Sequence, residues 1–168
     1  MTKCVLISIS PEWCGKIASG QKTIEVRKTK PHLLLPFKVY IYCTKGKYDL
    51  FYNESKLSAE EYIKTGDIIN GKIIGEFICD RIDVIEVSSE AHNKYAEESC
   101  LTQDDFIEYC NGQDIYGWHI SDLVTYDKPK ELREFKGRTL VWRGNNHIHT
   151  YESIKRPPQS WCYVEELK

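Results

Sequence analysis

The chain has 168 residues, 41% of them hydrophobic and 29% charged, with a formal net charge of −2. This is the size of one domain and the composition of an ordinary globular protein. The near-neutral balance gives no support to non-specific coating of DNA, and no apolar run approaches the ~18 residues that span a bilayer.

In chain order, KCVLIS at residues 3–8 predicts a short first strand. Ser10, Pro11 and Glu12 then mark a helix start: an N-cap hydroxyl, a proline at the first helical position and an acid in the first turn. Trp13, Cys14 and Ile17 share one face of that helix, and Gly20 suits its stop. Strands are predicted over 23–28 and over 37–44, the second with Val39, Ile41 and Cys43 on one face and Lys38, Tyr40 and Tyr42 on the other. Ser58–Lys64 carries weak helix signals, with Ser58 as cap and Glu60 and Glu61 early. Residues 72–87 read as one long or bent strand, with Gly71 and Gly75 as places for a bulge or corner. Thr102–Cys110 predicts a helix with a Thr102/Asp105 capping box and Phe106, Ile107 and Cys110 as its apolar side. Further strands are predicted at Trp118–Val124, Arg138–Trp142 and Trp161–Val164. Strands and long helices do not alternate, which argues against a doubly wound sheet. The expectation is α+β: one domain over 1–168, a mixed β-barrel of about six strands with small flanking helices.

Seven cysteines, none spaced as CxxC, read as reduced thiols and predict a cytoplasmic protein. The apolar part of MTKCVLISIS is too short for a signal peptide. His147 and His149 could face one side of a strand, but no neighbouring Cys, Asp or Glu completes a metal set, so neither metal nor cofactor is expected. Charge is uneven: residues 11–50 carry eight Lys/Arg against three Asp/Glu, 128–156 eight against three, and 75–122 two against twelve. The basic ends would build one basic face if they meet. The acidic middle, with Glu97, Glu98, Asp104, Asp105 and Glu108, is either a solvated helix side or a face for a protein partner.

The stretch GQKTIEVRK at 20–28 carries the functional reading. Thr23, Glu25 and Arg27 fall on one face of the predicted strand, and Ile24 and Val26 on the other. An exposed Glu–Arg neighbour pair is ordinarily a surface salt bridge worth about 0–1 kcal/mol. In a cleft, the arginine's fork of donors would suit a phosphate or base edge, and the carboxylate would accept from an exocyclic amine or hold the arginine. Lys22, Lys28 and Lys30 would add positive potential.

The helix PEWCGKIASG followed by QKTIEVRKTKP resembles the opening signature of the ASCH domain, of the PUA-like superfamily: a helix ending in Gly, one variable residue, Lys, then a strand with Glu and Arg. Here these are Gly20, Lys22, Glu25 and Arg27. The stretches GKIIGEFICDRI, YGWHISDLVTYDKPKEL and RPPQSWCYVEEL resemble bacterial and phage members. The resemblance implies a PUA-like pseudobarrel with a cleft beside the Lys22–Arg27 strand, taking RNA or a modified nucleoside. The ligand-binding residues would be Lys22, Glu25, Arg27 and Lys28, with Trp13 and Trp118 (and Trp161) for stacking bases.

Some small bacterial ASCH proteins similar around GQKT are amidohydrolases acting on N4-acetylcytidine, through a lysine, a threonine three positions later and a distant glutamate. The lysine corresponds to Lys22, but Glu25 stands at the threonine's position. Ser99 stands at the acid's position, with Glu98 one residue before it. If the chain is an enzyme, Lys22, Glu25, Thr23 and Glu98 are the catalytic candidates, with Glu25 activating water. Electrostatics favours binding, because Glu25 beside Lys22 keeps the lysine charged.

Overall fold

The computed structural model describes residues 2–46, 49–53, 56–58, 67–86, 92–143 and 146–167. The first half of the chain runs β1 (Lys3–Ile9), α1 (Pro11–Ala18), β2 (Ile24–Arg27), β3 (Phe37–Cys43), β4 (Phe51–Asn53), β5 (Lys56–Ser58), β6 (Asp67–Ile68), β7 (Lys72–Cys79) and β8 (Ile82–Ile85). It continues as α2 (His92–Ser99), α3 (Gln103–Cys110), β9 (Ile115–His119), β10 (Ser121–Glu131), a 3-10 turn (Leu132–Glu134), β11 (Lys136–Arg143), β12 (Asn146–Ser153) and β13 (Trp161–Glu165). None of the described helices is long and apolar enough to cross a membrane.

Seven strands form one sheet in the order β10-β7-β3-β1-β13-β11-β12; β1 and β3 are parallel and the other pairs antiparallel. At its centre β1 is covered on both faces, so Cys4–Ile7 run apolar without alternation. Val5, Ile7 and Ile9 join one core with Val39, Ile41 and Phe77. Cys4 and Leu6 join another on the opposite face, with Tyr40, Tyr42 and Phe135. The face of β3 that carries Tyr40 and Tyr42 is therefore core as well.

A second sheet, in the order β2-β9-β8, is backed by α2 and α3 through Ile24, Val26, Ala96, Phe106 and Cys110. A third, β5-β4-β6, is small. The stretch expected as one strand over 72–87 divides at Asp80 and Arg81, where the chain leaves the first sheet for the second. It returns across Ile120, between β9 and β10. A hydrogen bond from His119 N to Arg81 O (3.0 Å) carries the ladder around this corner. Strands that switch sheets at a bend are how orthogonal sheets make corners. Among the described residues no pairing joins the end strands β10 and β12, so no closed barrel is detected and the expected mixed β-barrel of about six strands is not confirmed.

Other differences are local. Ser58 ends β5, and the rest of the helix expected at Ser58–Lys64 lies outside the described residues. Ile107 is half exposed while Phe106 and Cys110 are buried, so the apolar stripe of α3 is narrower than expected. Thr102 caps α3 by accepting from Asp105 N, as expected. Gly75 faces a break in register between Ile41 and Tyr42 of β3. On its other side β10 comes so close that an added Cβ would lie 2.4 Å from Val124 O. Backbone cannot swing aside as a side chain can, so Gly75→Ala is expected to cost about 1–3 kcal/mol. A urea midpoint equal to that of the parent protein would show that β10 gives way freely.

Candidate functional site

Local sequence chemistry sets the entrance. Ser10 holds an extended N-cap conformation and Pro11 opens α1, although the Ser10 side chain makes no capping bond. Cys14 and Ile17 enter the core, and Trp13, half-buried, packs against the same core at the edge of that face. Gly20 adopts φ +75°, which glycine reaches without a steric penalty. The chain then turns back, with Lys22 N donating to Lys16 O (3.0 Å), and delivers Lys22 to the interior.

Glu25 stands between two cations. Its Oε2 lies 3.3 Å from Lys22 Nζ and its Oε1 2.8 Å from Arg27 Nη2. The Lys22 and Glu25 side chains are only 3% and 8% exposed, so this is no surface salt bridge. Lys22 Nζ also donates to Ser99 O (2.8 Å) at the last residue of α2, the end whose partial negative charge favours a cation. Arg27 donates to Ser8 O (2.7 Å) through Nη2 and to Ser160 Oγ (3.3 Å) through Nη1. β1, β2, α2 and the approach to β13 are thus tied together by three charged side chains.

A cleft of about 220 Å3 opens beside them. Ser8, Ile9, Ser10 and Trp13 line it from the end of β1 and from α1, while Leu101 and Tyr109 line it from the helical side. Tyr109 donates its hydroxyl to Val26 O (3.2 Å), on β2, the edge strand of its sheet. The Lys22 ammonium lies 5.5 Å from the centre of the Trp13 ring, within cation–π range. Two cations against one anion leave the trio with one uncompensated positive charge in a half-enclosed space, which favours a ligand rich in lone pairs or negative charge. Thiol chemistry is not offered here: burial, then the neighbouring Cys43, push the Cys14 thiol well up, so it stays protonated.

The cleft gathers Lys22, Glu25, Arg27 and Trp13, and leaves the other sequence candidates elsewhere. Thr23 is exposed; its backbone N donates to Glu98 O (3.0 Å) and its carbonyl accepts from Ile120 N (2.9 Å). Glu98 is half-buried outside the cleft lining, near Lys94 (3.9 Å). Lys28 is exposed, its ammonium 5.4 Å from the Tyr109 ring centre, and Lys30 stands likewise 5.2 Å from that of Tyr116. Trp118 is a correction: it pairs across strands with Glu25 but is fully buried, packed in the core against Phe37 and Trp161. Trp161 is half-buried and donates Nε1 to Thr29 Oγ1 (3.0 Å). Among the described residues no group of three or more His, Cys, Asp or Glu side chains could hold a metal ion. Sequence reasoning missed Tyr109, Leu101, Ser8 and Ser160. Tyr109 alone left a signal, as an aromatic residue one place off the buried stripe of α3.

No protein-family model and no curated protein matches the sequence. The structure is similar to the crystal structure of an ASCH protein from Zymomonas mobilis, with a TM-score of 0.62 at 20% identity, over 96% of this chain and 87% of that one. Two point variants of the same Zymomonas mobilis protein match equally, with TM-score 0.62 and 20% identity, over 96% of this chain and 88% and 90% of theirs. The chain has the ASCH-domain fold.

Proposed function

We propose that this ASCH-fold chain binds RNA through a single base, or a free modified nucleoside, in the cleft beside β2. The observation that carries the reading is the buried Lys22–Glu25–Arg27 trio on the lining of a cleft that also presents Trp13 and Tyr109. The volume of about 220 Å3 falls below the roughly 300–1,000 Å3 of pockets that enclose drug-sized ligands, which supports one base and not a stack of several. Glu25 accepts from an exocyclic amine, and the free donors of Lys22 and Arg27 face ring or carbonyl acceptors. Trp13 gives the base an aromatic neighbour, and Lys28 and Lys30 attract the phosphates outside. Calorimetry with nucleosides and short RNAs tests this. Trp13→Ala is expected to weaken binding by about 5- to 150-fold, the loss of one base–aromatic stack. Absence of binding at millimolar nucleoside, together with absence of salt-dependent RNA binding, would refute the reading.

The closeness of Lys22 and Glu25 in the cleft supports a second reading, hydrolysis of N4-acetylcytidine or a related nucleoside with Glu25 activating water. Both Glu25 oxygens are already engaged by Lys22 and Arg27, and Thr23 is turned to solvent, so binding stands first. Cytidine released from N4-acetylcytidine by the parent protein, and not by Lys22→Ala, would reverse that order.

A further inference from the structure

We propose that the β11–β12 hairpin is a second nucleic-acid contact, a stacking face for unpaired bases of a single-stranded RNA. It lies outside the cleft and stands whether or not the cleft takes a base. Its strands pair in register from Lys136↔Ser153 to Arg143↔Asn146, yet β11 meets the body of the sheet at a single pair, Gly137↔Val164, among the described residues. The rest is a two-stranded ribbon.

Directly paired residues share a face, so the pairs Arg138↔Tyr151, Leu140↔His149 and Trp142↔His147 put six side chains on one side. Five of the six are exposed and Tyr151 is half-buried. Leu140 is 53% and Trp142 67% exposed, and the Trp142 ring centre lies 3.5 Å from that of His147. On the opposite face Val141, Ile148 and Thr150 are half-buried, while Thr139 and Glu152 are exposed. The ribbon therefore turns two large apolar side chains, Trp142 and Leu140, to water beside two imidazoles and a guanidinium, and for those two burial alone would choose the opposite.

No acid lies on the outward face; the acid of the ribbon, Glu152, belongs to the other side, and Lys155 and Arg156 follow β12. A face of aromatic rings with cationic and no anionic charge complements a polyanion whose bases have exposed π-faces. Same-face steps of about 6.8 Å space the three pairs along the ribbon, enough for several nucleotides of an extended strand.

The test uses the whole chain and a fluorescently labelled twelve-residue oligouridine, followed by anisotropy at several salt concentrations. The parent protein is expected to bind with marked salt dependence. Trp142→Ala should weaken binding at least fivefold, and Arg138→Glu should weaken it and flatten the salt slope by about one unit or more. Both residues are exposed, so circular dichroism and the unfolding midpoint should be unchanged, as should the affinity of a free nucleoside for the cleft. Arg27→Ala should weaken nucleoside binding where Trp142→Ala leaves it unchanged, which keeps failure of the hairpin distinct from failure of the cleft. Equal oligouridine affinity for parent and both hairpin variants overturns the proposal. So does a blunt RNA duplex bound as tightly as the single strand, or a dimer that Trp142→Ala dissociates while RNA binding is untouched.

Discussion

Glu25→Ala is expected to cost about 3–5 kcal/mol of folding stability, the range for removing one partner of a buried ion pair. The carboxylate is the anion between Lys22 and Arg27, whose side chains are only 3% and 13% exposed. Without it, two enclosed cations face each other, each keeping only neutral partners: Ser99 O for Lys22, Ser8 O and Ser160 Oγ for Arg27. For a domain of this size the loss corresponds to a fall in melting temperature of roughly 6–20 °C. Urea unfolding should show a lower midpoint at unchanged m, because the surface exposed on unfolding does not change. The companion variant is informative in the other direction. Replacing all three charges by Met or Leu removes the desolvation cost along with the attraction, so stability should be retained or raised while nucleoside binding disappears. A loss of less than about 1 kcal/mol for Glu25→Ala would return the trio to the class of exposed ion pairs.

Trp118→Ala is expected to cost about 3–5 kcal/mol through the cavity it leaves. The residue is fully buried and packs edge-on against Phe37 at 6.0 Å and tilted against Trp161 at 6.0 Å. Its indole Nε1 is buried with no hydrogen-bond partner. Trp118→Phe removes that stranded donor while keeping most of the ring, so it should cost clearly less than alanine. Because Trp118 pairs directly with Glu25, alanine should lower stability and ligand affinity together, whereas Trp13→Ala, at a half-buried position, should cost less stability for its loss of affinity. Chemical denaturation of the three variants beside nucleoside titrations separates these outcomes. A phenylalanine variant as damaged as the alanine one would mean that the indole N–H is engaged.

The opening β1–α1–β2 unit was readable because each of its signals is local. Pro11 at the helix start, Gly20 at its end and the alternation of IEVR need no distant partner to be interpreted. The lysine, glutamate and arginine of the cleft were visible for the same reason. What the sequence withheld depends on packing between distant segments. α2 buries only Ala96 and Ser99 and has no acid in its first turn, so its sequence carries little helical pattern; it is held by β2 and α3. β12 is a polar edge strand with little apolar alternation. The run from Ile73 to Ile85 carries apolar residues on both sides of Asp80 and Arg81, since both halves are covered, one in each sheet, and so reads as one strand. Trp118 illustrates the same limit at the site. Its place opposite Glu25 follows from pairing, but whether the space beyond is a cleft or a core is decided by Phe37 and Trp161, far away in sequence.

The corner at Asp80–Arg81 and Ile120 couples the two larger sheets. One antiparallel ribbon bends there, so β7 with β10 serves the first sheet and β8 with β9 the second. Neither layer can peel away without unzipping the other, and the side of the cleft built on β2 is hung from the same ribbon through β9. The cleft therefore persists or is lost in a single cooperative event, and a ligand held there would tighten the entire molecule instead of one lobe.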